Sequence, residues 1–121
     1  MATTTAAATT LSAKSLIGAR IENLKGDNLG KIEDLVIEPI EGRVGYAVLS
    51  FGGFLGMGEK LFAVPLQAMK TSTEDRTFVL DVDKDRLKNA PGFDRDRWPD
   101  MNDRAFSSTV YNYYGYQPYW R

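Results

Sequence analysis

The residues able to do chemistry in this sequence are mainly aspartate, glutamate, lysine, tyrosine and serine, because cysteine and histidine are both absent. Without cysteine there are no disulfides, thiolate nucleophiles or thiolate metal ligands. Without histidine the chain lacks the side chain most used for acid–base catalysis near neutral pH and the commonest metal ligand. These absences exclude most familiar catalytic constellations, and we expect neither an enzyme nor a bound cofactor or metal.

One acidic grouping has the spacing of a known metal site. Asp81, Asp83 and Asp85 are spaced like the first three ligands of a calcium loop. Arg86 stands where that loop needs glycine, and Gly92 stands where it needs a bidentate glutamate. A strand end and a helix start explain these aspartates better than a calcium site does.

The glycine-rich stretch 52–58 resembles a phosphate-binding loop in its glycines alone. Gly53 and Gly58 have the required separation, but Glu-Lys-Leu follows them instead of Lys-Ser or Lys-Thr. A strand is also predicted where the phosphate loop needs a helix, so the dipole and free N–H groups of a helix start are missing. We therefore do not expect phosphate binding.

The elements that must position these residues are mostly short strands. Five are predicted: Arg20–Leu24, Leu29–Ile37, Val44–Phe51, Lys60–Val64 and Thr77–Val82. The alternation slips at Glu33–Asp34, which predicts a β-bulge there and not a catalytic carboxylate pair. Val44–Phe51 is apolar on both faces, as expected of a strand that is covered on both sides. Five to six short strands at this spacing indicate a mainly β fold, a small and strongly bent antiparallel β-barrel.

Beyond the last strand the apolar period becomes helical. Asp83 can cap a short helix over Lys84–Asn89. Asp100 can cap a longer helix, for which Gly115 is a natural stop. The apolar stripe of this second helix is narrow, so it must lie on its own barrel or on another subunit.

The length of the chain indicates its domain organisation. A chain of 121 residues suits one domain, with a disordered Ala/Thr-rich lead over 1–11, a barrel over 12–83 and a helical, aromatic-rich tail over 84–121.

The net charge of −1 gives no general attraction to nucleic acid or anionic lipid. No stretch approaches the ~20 apolar residues of a membrane helix, and the lead lacks the features of a signal peptide. A cytoplasmic location is predicted.

Several ordered motifs resemble the PRC-barrel family. They are Leu16-Ile17-Gly18, Leu29-Gly30-Lys31-Ile32-Glu33-Asp34, Gly42-Arg43-Val44, Tyr46–Ser50, and the run Phe51–Lys60 that leads to Val64-Pro65. The tail looks like that of small stand-alone bacterial members. The resemblance implies the barrel fold and a docking or assembly role. In this family, the cytoplasmic part of the photosynthetic reaction-centre H subunit and the C-terminal domain of a ribosome-maturation factor have roles of this kind. The resemblance implies no catalytic residues.

Two apolar features are the candidate binding sites for a partner. The first is the loop with Phe54, Leu55 and Met57, which either folds back over the barrel mouth or contacts a partner. The second is the aromatic tail, which either wraps its own barrel or packs on another subunit. Its candidate residues are Trp98, Phe106, Val110, Tyr113, Tyr116 and Trp120.

Two functional hypotheses follow from these features. The first is a non-catalytic protein-interaction or assembly module that acts as a homo-oligomer, most simply a dimer. The alternative is an RNA- or ribosome-associated accessory factor, by analogy with the maturation-factor barrel. The acidic balance counts against nucleic acid, as does the scarcity of Arg and Lys among the tail aromatics.

Overall fold

The secondary structure is that of a strand-rich domain followed by a helix. The structure is a computed structural model that describes residues 11–52, 59–71, 77–100 and 103–117. In chain order its elements are α1 (Ala13–Leu16), β1 (Arg20–Glu22), β2 (Asn28–Glu38), β3 (Arg43–Gly52), β4 (Glu59–Val64), a 3-10 turn (Leu66–Ala68), β5 (Met69–Thr71), β6 (Phe78–Leu80), α2 (Lys84–Lys88), β7 (Gly92–Asp94) and α3 (Arg104–Tyr113). Of the predicted disordered lead, all but Leu11 lies outside the described residues.

The strands form one curled sheet in the order β5-β6-β1-β2-β3-β4-β7. Its neighbours are antiparallel except for β1 and β6, which run parallel. The predicted mainly β, strongly bent fold is confirmed, but the described residues contain seven strands and not five to six. The two extra strands, β5 and β7, are three residues long with one apolar residue each, and they lie outside the longer predicted runs that contain the equally short β1 and β6. β7 comes from the predicted tail, so that segment completes one edge of the sheet.

The predicted bulge in β2 is present. Ile32 pairs with Leu49 and Asp34 pairs with Val48, so Glu33 is the extra residue on the β2 side. An inserted residue bends a strand and increases its local twist. This bulge therefore helps the long β2–β3 hairpin to curl.

β3 is covered on both faces, as its sequence predicts. Ala47 and Leu49 belong to the cluster inside the curl, and Tyr46 and Val48 belong to a second cluster on the outer face. All four side chains are buried. The sheet thus separates two apolar layers, and the outer layer needs a cover of its own.

The helix ends follow short-range capping chemistry. The Asp83 carboxylate accepts a hydrogen bond from the Arg86 backbone N–H, which confirms the predicted cap of α2. The prediction that Asp100 caps the second helix is wrong. Asp103 caps it instead, accepting from the N–H groups of Ala105 and Phe106. Two aspartates three residues apart offer the same cap, so composition alone does not choose between them.

The predicted stop of α3 is confirmed. Gly115 has a φ of +82° and directly follows the C-cap residue Tyr114. The N–H groups of Gly115 and Tyr116 donate to the carbonyls of Asn112 and Tyr111. This is the paired bonding of a Schellman motif, in which glycine at the left-handed position carries no Cβ penalty.

Candidate interaction surface

α3 lies on the outer face of its own sheet. Val110 is 0% exposed and Tyr111 is 1% exposed, in one cluster with Val48, Leu61 and other residues of that face. The Tyr111 hydroxyl donates a hydrogen bond to the backbone carbonyl of Gly45 on β3. The helix therefore supplies the cover that the outer layer needs, and it does so within one chain.

Tyr113 is held by the short helix α2. Its hydroxyl donates to the Arg86 carbonyl at 2.6 Å, and the Arg86 guanidinium donates to the Tyr113 carbonyl. The guanidinium carbon also lies 4.5 Å from the centre of the Tyr113 ring, a cation–π contact. These reciprocal contacts fix the end of α3 to α2.

Four aromatic side chains form a connected group, which we call the aromatic cluster: Tyr46, Phe93, Trp98 and Phe106. The Phe106 ring contacts those of Tyr46 and Phe93, each with centroids 6.3 Å apart. The Trp98 ring lies 5.0 Å from that of Phe93. Tyr46 and Phe93 are buried, Phe106 is half-buried, and Trp98 is 39% exposed. The cluster thus runs from the outer layer to an exposed tryptophan.

The residues predicted to bind a partner fall into different environments. Val110 is buried on its own sheet, Tyr113 is bound to α2, and Tyr116 is half-buried beside the outer layer. Trp98 and Phe106 come together in the aromatic cluster. The others, Phe54, Leu55, Met57 and Trp120, lie outside the described residues. A binding role for any of these residues stays a prediction.

Phe93 and the turn that follows it contribute to this surface although the sequence did not predict them to do so. Phe93 lies on β7 and packs between Trp98 and Phe106. The N–H of Arg97 donates to the carbonyl of Asp94 at 3.0 Å, which closes a turn over Asp94–Arg97 whose four side chains are exposed. The available signal was the alternation Asp-Arg-Asp-Arg directly before Trp98.

An ion pair joins this turn to the bulge of β2. The Arg95 guanidinium lies 2.8 Å from the Glu33 carboxylate. The hydrogen bond from Arg95 lowers the pKa of Glu33, against a smaller opposing effect of burial. The extra residue of the bulge therefore has a structural partner, which supports the interpretation of Glu33–Asp34 as structural and not catalytic.

Replacing Glu33 by glutamine should remove a stabilisation that depends on pH. A carboxyl whose pKa is lowered by folding contributes stability above its usual value of about 4.3 and loses it as pH falls through the lower, folded value. We expect Glu33→Gln to cost up to about 1 kcal/mol at pH 7, since the pair is partly exposed. The cost should disappear near pH 3. Urea unfolding at the two pH values measures both.

The matched control is Glu41→Gln, which removes the exposed ion pair of Glu41 with Arg43 in the β2–β3 turn. This pair spans one tight turn and joins no distant strands, so its removal should change the unfolding free energy by less than about 0.5 kcal/mol. An equal loss in both variants, or a Glu33→Gln loss that persists at pH 3, would contradict a specific role for the Arg95 pair.

One buried polar group has no partner among the described residues. The hydroxyl of Tyr114 is buried and makes no hydrogen bond there. Its burial raises the pKa of this phenol well above the usual value near 10. A phenol with so high a pKa stays protonated near neutral pH, so Tyr114 is poorly suited to act as a base or nucleophile.

Two features of the described residues concern metal binding and membrane insertion. In the part of the chain that the structure describes, no three acidic, histidine or cysteine side chains are grouped so that they could hold a metal ion. None of the helices described is long and apolar enough to cross a membrane.

The fold and the comparisons with known proteins agree. Residues 8–87 match the model of the PRC-barrel domain. This match covers more than half of the chain, and the curled sheet lies largely within it. The chain therefore belongs to the PRC-barrel family, as its motifs indicate. PRC-barrel domains are in general non-catalytic. No curated protein matches the chain significantly.

Proposed function

We propose that this protein is a non-catalytic assembly module that forms a homodimer through the surface around Trp98. The observation that carries the proposal is the exposed Trp98 ring, which packs at a tilt against buried Phe93 with the ring centroids 5.0 Å apart. Tryptophan is the residue type most enriched among energetic anchors of interfaces. A ring already held by its neighbour loses little side-chain entropy on binding. The cytoplasmic location predicted from the sequence is part of this proposal.

The charges beside Trp98 favour a second copy of the chain as the partner. In a two-fold dimer the same patch meets itself, so the patch must carry complementary charges of both signs. The exposed Asp94–Arg97 turn carries both signs of charge, with Asp94, Asp96 and Arg97 at the surface and Arg95 already paired with Glu33. An RNA partner would require an excess of basic groups, which this turn lacks.

The ends of β3 and β4 support including a second predicted binding feature in this surface. β3 ends at Gly52 and β4 begins at Glu59, and these two residues pair with each other. The next residue of β4, Lys60, pairs with Asp94 at the start of the charged turn. The described strand ends on either side of the predicted binding residues Phe54, Leu55 and Met57 therefore lie beside that turn. One surface combining both regions comes closer than Trp98 alone to the ~800 Å² per partner that a stable interface buries.

Replacing Trp98 by alanine should weaken the dimer. Loss of an anchor of this kind costs about 2 kcal/mol or more, which raises the dissociation constant about thirtyfold. Light scattering coupled to size exclusion should give a dimer mass for the unchanged chain and a monomer mass for Trp98→Ala at the same concentration. Sedimentation velocity over a dilution series then gives both dissociation constants.

The matched control is Ile40→Ala, which removes an apolar side chain that is 92% exposed at the tip of the β2–β3 hairpin. Its dimer mass should equal that of the unchanged chain. A monomeric unchanged chain, or an equal dissociation constant for Trp98→Ala, would overturn the proposal. Truncation after Arg97 is a poor test because it also removes Val110 and Tyr111, which cover the outer layer.

A further inference from the structure

A second candidate site lies on another part of the molecule, where β1 and β6 end. These strands are the parallel pair of the sheet, so their carboxyl ends lie side by side. The turn after β1 and the loop after β6 enclose a cleft of about 430 Å³. That volume is within the range of about 300–1,000 Å³ that is typical of small-molecule sites. The side chains that matter for its chemistry are Leu24, Lys25, Asp81, Val82, Asp83 and Arg86.

The walls of the cleft are held in place by contacts within the chain. The Asn23 side chain is buried, and its carbonyl oxygen accepts from the N–H groups of Lys25 and Asp27 at 3.0 and 2.9 Å. Its amide nitrogen also donates to the Asp27 carboxylate at 3.0 Å. On the opposite wall Asp83 caps α2 and Arg86 is bound to Tyr113. Both walls are therefore ordered before any ligand arrives, which lowers the entropic cost of binding.

Two opposite charges of the cleft remain available to a ligand. One carboxylate oxygen of Asp83 accepts in the helix cap and one guanidinium nitrogen of Arg86 donates to the Tyr113 carbonyl, so both of these charged groups already have a partner within the chain. Lys25 and Asp81 are exposed, and neither side chain makes a hydrogen bond or ion pair with any residue that the structure describes. The cleft thus offers one ammonium and one carboxylate, on opposite walls.

The uncharged part of the lining is aliphatic. Leu24 is 73% exposed and Val82 is half-buried, and each directly neighbours one of the two available charges in the sequence. A ligand that places an aliphatic group against Leu24 and Val82 removes apolar surface from water, which favours binding. The lining therefore combines two opposite charges with an apolar contact.

We propose that this cleft binds a small aliphatic zwitterion, of which a free branched-chain α-amino acid is the simplest form. The ligand carboxylate pairs with Lys25 and the ligand ammonium pairs with Asp81. A ligand that carries one of these charges leaves the other protein charge unpaired and gains one ion contact in place of two. This proposal is independent of the dimer surface around Trp98.

The test measures binding of L-leucine by backbone amide chemical shifts of the full chain. Leucine should shift the amides of residues 23–25 and 81–83, with a dissociation constant in the millimolar range. Two probes each lack one charge: 4-methylpentanoate lacks the ammonium and 3-methylbutylamine lacks the carboxylate. Each should bind about twofold to fivefold more weakly than leucine, since an exposed ion contact contributes at most about 1 kcal/mol. Equal affinity of leucine and either probe would overturn the proposal, as would no shift of these amides.

Variants of the two charges assign each contact. Asp81→Asn should remove the preference for leucine over 4-methylpentanoate, so that the ratio of their dissociation constants approaches one. Lys25→Gln should do the same for leucine against 3-methylbutylamine. Lys14→Gln, an exposed lysine of α1 that does not line the cleft, is the control and should leave both ratios unchanged. If Asp81→Asn and Lys25→Gln keep the ratios of the unchanged chain, the assignment is wrong.

Discussion

Replacing Gly30 by alanine is expected to destabilise the fold severely. A Cβ at this position would lie 2.0 Å from the Ser50 carbonyl oxygen and 3.0 Å from the carbonyl carbon. Both atoms belong to the backbone of β3, so neither can move aside without breaking the pairing of β2 with β3. The φ of +102° adds the strain of a conformation that L side chains rarely adopt. We expect a loss of at least about 4 kcal/mol, a large part of the 5–15 kcal/mol that stabilises a typical domain.

Gly42→Ala separates the close contact from the backbone strain. Gly42 also has a positive φ, +72°, but a Cβ there meets nothing within 4 Å. Its replacement should cost about 1 kcal/mol, the penalty of the left-handed conformation alone. Unfolding in guanidinium chloride, followed by circular dichroism, gives both free energies. Similar losses for the two variants would show that β2 and β3 do not approach each other as closely as the structure has them.

The alternation of apolar residues predicted five of the seven strands described, but not β5 and β7. β2 and β3 contain 11 and 10 residues, enough to show a slipped phase in one and two apolar faces in the other. β5 and β7 contain three residues with one apolar residue each, which defines no period, whereas the equally short β1 and β6 lie within longer predicted runs. The one-turn helix α1 was missed for the same reason. The close approach of Gly30 to the Ser50 backbone also could not be predicted from the sequence, because it depends on how the curl of the sheet brings β2 and β3 together.

The sequence predicted which residues of the tail are apolar or aromatic, but not which of them are exposed at the surface. A helical stripe of Val110 and Tyr113 looks the same whether it covers its own sheet or another subunit, since both surfaces are apolar. The second apolar face of β3 predicted that another element packs against it. This element is α3, whose residues lie 50 to 70 positions further along the chain. Trp98 stays at the surface because Phe93, which precedes it by five residues, fills the buried position beneath it.

Replacing Tyr111 by alanine tests whether α3 covers its own sheet. The side chain is fully buried, and its ring packs in the outer layer with residues of β3 and β4. Its removal should cost about 3–5 kcal/mol, as for other large aromatic side chains cut back to alanine. Tyr111→Phe keeps the ring and removes the hydrogen bond to the Gly45 carbonyl, so it should cost about 1–2 kcal/mol. Asn112→Ala, at the exposed neighbouring position, should change the unfolding free energy by less than about 0.5 kcal/mol.

These measurements distinguish the two arrangements of α3 best in the Trp98→Ala background, where the proposed dimer is weakened. If α3 covers its own sheet, the unfolding midpoint of that variant is independent of protein concentration, and Tyr111→Ala lowers it by the same amount at every concentration. If α3 covered the sheet of another copy, folding and association would be coupled, and the midpoint would rise with concentration. The Gly45 hydrogen bond and the burial of Val110 and Tyr111 within one chain predict the first result.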